Sequence, residues 1–165
     1  MTAIRPAEPA DAPAIAALYN LGISERQATF ETRPREPAEI GAWFEPGLPF
    51  IVAEDGDGRV VGFARVSPYS DRCVYEGVGE HGVYVGREAR GQGVGRRLLE
   101  ALAAESERQG LYKLTSRVFT TNAASRAAHR AAGFEEVGIQ RRHGRLDGHW
   151  KDCVLVERLL GDAAV

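Results

Sequence analysis

Apolar positions along the chain follow two alternating periods. Thr2–Arg5 reads as a short strand. Behind Asp11, a residue suited to cap a helix start, Ala12, Ile15, Ala16, Tyr19 and Ile23 stand at helical spacing. Pro13 is tolerated there, because first-turn N–H groups lack helical partners. Pro37–Phe44 predicts a second, short helix closed by Pro46-Gly47. Phe50–Glu54 and Val60–Val66 read as a hairpin about Asp55-Gly56-Asp57-Gly58. Gly82–Val85 predicts a further strand. The stripe Val94, Leu98, Leu99 and Leu102 predicts a long helix ended by Gly110. A strand at Leu111–Val118 precedes an alanine-rich helix, Ala123–Ala132, stopped by Gly133. Phe134–Arg142 and Trp150–Leu159 are the last strands, with Asp147-Gly148 as the turn signal between them. Alternating strands and helices, with hairpins near both ends, predict an α/β fold. Its central sheet is mixed and mostly antiparallel, flanked by helices.

At 165 residues the chain fits one domain, 1–165, large enough for a core without disulfides or metals. The formal net charge of -2 and the lack of a long Lys/Arg run give nucleic acid or an anionic membrane no electrostatic support. The two cysteines, Cys73 and Cys153, stand at no metal-ligand spacing, and the scattered His81, His143 and His149 do not supply one. No metal is expected. The start Met1-Thr2-Ala3-Ile4-Arg5-Pro6 lacks an apolar signal core, and no apolar run is long enough to span a bilayer. The expected location is the cytoplasm.

The most informative motif is Arg90-Gly91-Gln92-Gly93-Val94-Gly95, between the apolar strand Val83-Tyr84-Val85 and the long helix. Glycines let backbone approach a ligand closely, and free N–H groups at a helix start favour an anion such as a pyrophosphate. A nucleoside triphosphate is disfavoured, since no Gly-Lys-Ser/Thr follows. A dinucleotide is disfavoured, since Arg96 stands where the third glycine belongs. Acyl-CoA remains; a plain glycine-rich helix entry is the bland alternative.

With Arg90, Gly93 and Gly95 in place, the run resembles the acyl-CoA signature of the GNAT superfamily, Gln/Arg-x-x-Gly-x-Gly/Ala. Tyr19-Asn20, Thr29-Phe30-Glu31, Glu80-x-x-Val83-Tyr84-Val85, His129 with Gly133-Phe134, and Gly148-x-Trp150-x-Asp152 resemble the phosphinothricin N-acetyltransferase family. Its relatives act on arsinothricin and on methionine sulfone or sulfoximine. Arg141–Gly148 is similar to the arsinothricin-resistance branch. The resemblance implies a GNAT fold, acetyl-CoA as co-substrate, a small-molecule amine as acceptor, and a homodimer with part of the substrate pocket near the interface. It implies that Arg90, Gly91, Gln92, Gly93, Val94 and Gly95 bind the cofactor, together with Val83, Tyr84, Val85, Asn122 and Ser125.

Asn122, Ser125 and His129 stand at i, i+3 and i+7, on one face of the alanine-rich helix, with Arg126 and Arg130 better suited to solvent. Asn122 also reads as a helix N-cap, and a lone His as a satisfied one. The resemblance places His129 where many of these enzymes carry a Tyr that protonates the leaving thiolate. An unperturbed His, titrating near about 6.5, exchanges protons at neutral pH. Strand alternation puts Glu80 and Tyr84 on one face and His81 on the other. The resemblance gives Glu80 a part in removing the amine proton, directly or through water. His129 as the base is the open alternative. A backbone N–H near Val85 is the expected oxyanion donor. On the substrate side the resemblance points to Arg72, whose fork suits a carboxylate or phosphinate, to Phe30 as a pocket wall, and to hydroxyls of Tyr75 and Tyr84. Ser70 stands where phosphinothricin enzymes can carry Lys, so one basic contact is missing. Trp43 and Trp150 read as packing residues. The rival readings are a protein N-terminal or lysine acetyltransferase and a catalytically silent acyl-CoA sensor. The match at Arg72 and Thr29-Phe30-Glu31 favours a closed amino-acid pocket over the first. Glu80, Asn122 and His129 argue against the second.

Overall fold

The computed structural model describes residues 2–165. Seven strands form one sheet in the order β1-β2-β3-β4-β5-β7-β6. They are β1 Ala3–Pro6, β2 Phe50–Glu54, β3 Val60–Pro68, β4 Val78–Val85, β5 Lys113–Phe119, β6 Glu135–Leu146 and β7 His149–Leu159. Every neighbouring pair is antiparallel except β4 and β5. That one parallel pair follows from its connection, because α3 (Val94–Arg108) returns the chain across the sheet before β5 begins. α1 (Ala12–Glu25), α2 (Pro37–Ile40) and α4 (Ala123–Ala131) complete the helices.

The helical stripes explain the layers. Val94, Leu98, Leu99 and Leu102 of α3 are buried, and with Ala64, Val66, Leu114 and Val154 they form the larger core. On the opposite face, Ile15 and Ala16 of α1 and Ile40 of α2 pack on Phe50, Val52 and Phe63. Each face of the sheet thus buries one helix layer.

Several sequence expectations shift. β4 starts at Val78 rather than Gly82. Glycine at 79 is required there, since a Cβ would meet Val66 Cγ1 at 2.4 Å. The predicted helix over Pro37–Phe44 is α-helical only to Ile40 and continues as a 3-10 turn over Gly41–Trp43. β6 runs on to Leu146, because register shifts let the strand pass the segment between Gln140 and Gly144 without losing β7. Asp11 precedes α1 but its side chain makes no cap there. Its carboxylate is held by Arg5, with both bonds at 2.9 Å, and accepts the Glu8 N–H at 2.8 Å. Trp43 packs against the second core, whereas Trp150 is 49 % exposed with Arg145 lying 4.2 Å over its ring.

Candidate active site

The site is built by a break in the sheet. β4 and β5 pair only at Val78–Lys113, Gly79–Leu114 and Glu80–Thr115. Beyond that point the strands part, and a cleft of about 590 Å³ opens between them. His81–Val85 line one wall and Ser116–Phe119 the other. Backbone polar groups on these inner edges have lost their sheet partner. Gly86 N–H goes back to Val61 on β3, so by alternation Val85 N–H points away from β3, into the cleft.

The glycine turn closes one end. Gly91 and Gly93 have φ of 74° and 78°, a left-handed conformation that strains any side chain. Gly93 directly precedes α3, so the first-turn N–H groups of α3 have no helical acceptor and no acidic side chain beside them. Arg90, Gly91, Gly93, Val94 and Gly95 line the cleft. Gln92 does not; its side chain is exposed and donates to the Glu88 carbonyl at 3.0 Å. Arg90 is tied to α1, with Nη2 2.6 Å from Glu25 Oε1, while its Nε donates to the Val85 carbonyl at 3.1 Å. Arg90 is the main cause holding the Glu25 carboxyl down to about 2, with Arg87 helping and burial opposing.

α4 forms the far wall. Asn122 Oδ1 accepts the Ser125 N–H at 3.1 Å and its Nδ2 donates to the Gln27 carbonyl at 3.0 Å, so the side chain caps α4 and pins the α1–α2 loop. Ser125 and His129 also line the cleft, and His129 is 2 % exposed. Its Nδ1 lies 2.8 Å from the Ser125 carbonyl, which only accepts, so Nδ1 carries a proton. Nε2 of His129 is 3.0 Å from Nε2 of His81. Burial lowers the pKa of both rings; His81 goes down to about 3, pushed further by His129. Both are therefore neutral at pH 7, and His81 is the donor in the shared hydrogen bond. Sequence reasoning missed this partner. Strand parity placed His81 on the face away from Glu80, but the contact spans 48 residues and has no local signal.

Glu80 faces the other side of the sheet, in a smaller cavity of about 220 Å³ with Tyr69, Tyr75, Thr115 and Gln140. Ser116 and Arg117 line both cavities. Arg117 Nε donates to Gln140 Oε1 at 2.9 Å, and among the described residues the side chain has no carboxylate partner. Glu80 and His129, both expected to act on the acetyl transfer, thus stand on opposite faces of the opening. Tyr84 lines the cleft, half-buried against Phe63 and Tyr19, and desolvation pushes its hydroxyl pKa up. Two expected substrate residues lie outside both cavities. Arg72 is exposed, turned out ahead of the 3-10 turn at Cys73–Tyr75, with its guanidinium 5.8 Å over the Tyr75 ring. Phe30 packs on Phe119, Leu146 and Cys153, with ring centroids 4.8 Å apart for the Phe30–Phe119 pair. Among the described residues no group of three or more His, Cys, Asp or Glu side chains is placed to hold a metal.

A split parallel strand pair, a glycine turn presenting free N–H groups, and an open inner strand edge together define a transferase for an acyl group carried on CoA. Residues 15–134 match the acetyltransferase (GNAT) family, and the chain belongs to it. L-methionine sulfoximine/L-methionine sulfone acetyltransferase of Pseudomonas aeruginosa is 35 % identical over 158 residues, covering 93 % of this chain and 92 % of that one. Phosphinothricin N-acetyltransferase of Alcaligenes faecalis is 37 % identical over 155 residues, covering 91 % and 78 %. The crystal structure of a GNAT superfamily phosphinothricin acetyltransferase from Sinorhizobium meliloti, in complex with acetyl-CoA, matches with a TM-score of 0.92 at 32 % identity, over 98 % of this chain and 90 % of that one. The chain is an N-acetyltransferase, and acetyl-CoA is its acetyl donor. No helix among the described residues is long and apolar enough to cross a membrane.

Proposed function

We propose that this enzyme acetylates the primary amine of a small amino-acid-like molecule, an analogue such as phosphinothricin, arsinothricin or methionine sulfone. The observation that carries the reading is the pair of cavities meeting at Ser116 and Arg117. The 590 Å³ cleft has the size of a cofactor site. The 220 Å³ cavity lies below the roughly 300–1,000 Å³ usual for drug-sized ligands, which suits a compact amine. Acetyl-CoA enters from the α3–α4 face and the amine from the Glu80 face. Glu80 takes the ammonium proton, directly or through water, and the amine adds to the thioester carbonyl. The Val85 N–H, aimed into the cleft, receives the oxyanion. The C–S bond then breaks, the amine nitrogen sheds its second proton, and the thiolate takes up a proton on the cleft side, relayed past Ser125 and His129, so that the products are the amide and neutral CoA thiol. Arg117 supplies the cation for an anionic substrate group, in the place expected of Arg72. The relatives' named substrates support the amino-acid class. Family resemblance supports a homodimer and a cytoplasmic location, with residues 1–165 acting as one domain.

The test is a thiol-release assay with methionine sulfone, phosphinothricin, arsinothricin, unmodified amino acids and a peptide bearing a free N-terminus and lysine. The amino-acid analogues are expected to give the highest kcat/KM. A peptide turned over better than every small amine would refute the substrate class, and no turnover with any amine would favour the acyl-CoA sensor.

A further inference from the structure

Neither ring nitrogen of His129 is free. Nδ1–H is committed to the Ser125 carbonyl at 2.8 Å, with the Ser125 hydroxyl at 3.3 Å, and Nε2 faces Nε2 of His81 at 3.0 Å. His81 is 5 % exposed, and its own Nδ1 has no partner at hydrogen-bond geometry among the described residues, although the Thr115 backbone lies close enough to favour charge on the ring. The ring of Phe134 packs on both histidines, with centroids 4.9 Å from His81 and 5.1 Å from His129, and blocks any large rotation. The pair is therefore held in one orientation with one consistent set of protons.

We propose that His81 is a positioning residue for His129: it donates from Nε2 to Nε2 of His129 and, with the Ser125 carbonyl on Nδ1, holds the ring neutral and in one orientation beside Ser125 at the edge of the cleft. Without that donor the bare Nε2 would be buried unpaired and free to take a proton, while the Ser125 carbonyl would still hold the proton on Nδ1. His81 thus occupies the one basic nitrogen of His129 and fixes where the ring stands beside the Ser125 hydroxyl. The groups acting on the pair are few. The Ser125 backbone and Glu136 favour charge on His129, the Thr115 backbone favours charge on His81, and burial opposes both. Glu136 is itself neutralised by Arg126 at 2.8 Å and Arg130 at 3.4 Å, so its pull on His129 is weakened.

The inference rests on the reading that His129 serves the thiolate, and its test has a readout that does not. Nitrogen-15 NMR of the imidazoles is expected to show His129 protonated on Nδ1 and bare on Nε2 in the wild-type protein. In His81→Leu the proton should stay on Nδ1, but the His129 pKa read by the same NMR should rise once Nε2 loses its donor, and the pH profile of kcat should move. kcat should fall about tenfold, the scale of one hydrogen bond, with KM for acetyl-CoA unchanged. His81→Gln, which keeps an N–H donor, should recover most of both. A wild-type His81 bare on Nε2, or a folded His81→Leu with unaltered His129 titration and pH profile, would overturn the inference. Full turnover in His129→Ala would remove the parent reading instead, while the tautomer measurement still decides the His81–His129 link.

Discussion

Burying two neutral imidazoles ties the stability of this fold to pH. Burial, reinforced by His129, pushes the His81 pKa down to about 3. In the unfolded chain the same group titrates near about 6.5. Between these values the unfolded chain binds a proton that the folded chain refuses, so stability is lost as pH falls. His81 costs the fold nothing above about pH 6.5. Below it the loss grows by up to about 1.4 kcal/mol per pH unit and reaches about 2 kcal/mol at pH 5. His129 adds in the same direction, since burial lowers it too. Against a total of about 5–15 kcal/mol for a typical domain, this is a large fraction. The carboxylates held low by arginines, Asp11, Glu25 and Glu136, work at lower pH. Their contribution is present above about pH 4.5 and is lost only as pH falls through their depressed values. Urea unfolding at about pH 7.5, 6 and 5 isolates the histidine window. His81→Leu should be markedly less sensitive to pH than wild type across it. Equal losses in the two proteins would refute the buried neutral pair.

Gly93→Asp should abolish CoA binding by calorimetry while circular dichroism stays unchanged, because it puts a negative side chain on a left-handed position beside the α3 N-terminus. Arg117→Ala should raise KM for an anionic amino-acid analogue roughly ten- to hundred-fold with kcat nearer wild type, the value of one charged hydrogen bond. Arg72→Ala should do much less, and the opposite ranking would return the anion site to Arg72. Leu99→Ala, at a fully buried position of α3, should cost about 2–5 kcal/mol in urea unfolding without altering KM.

The helices and the glycine turn were legible because their signals are local. The stripe from Val94 to Leu102 repeats at one period, and the turn carries its own glycines. The face assignment of Glu80 against His81 followed from strand alternation and holds. The start of β4 was obscured by Gly77 and Gly79, which read as loop residues. They are instead small because Tyr112 and Val66 press against the strand. The parting of β4 from β5 left no mark on the sequence, since it depends on where two distant segments cease to pair. The same holds for the His81–His129 contact and for Arg117, whose role as a shared wall appears only once both cavities exist. Arg72 and Phe30 sit in segments that resemble a family's substrate side, but a 3-10 turn and a hydrophobic cluster of Phe119, Leu146 and Cys153 carry them elsewhere.

The central claim is that acetyl passes through the gap between β4 and β5, from the cleft to the Glu80 cavity. A crystal structure with CoA and N-acetyl methionine sulfone tests it directly. The account predicts the sulfur between Val85 and Ser116, the amide on the Glu80 side, and the carboxylate within hydrogen-bond reach of Arg117. A product bound wholly on the His129 side of the sheet, or away from Ser116 and Arg117, would contradict it.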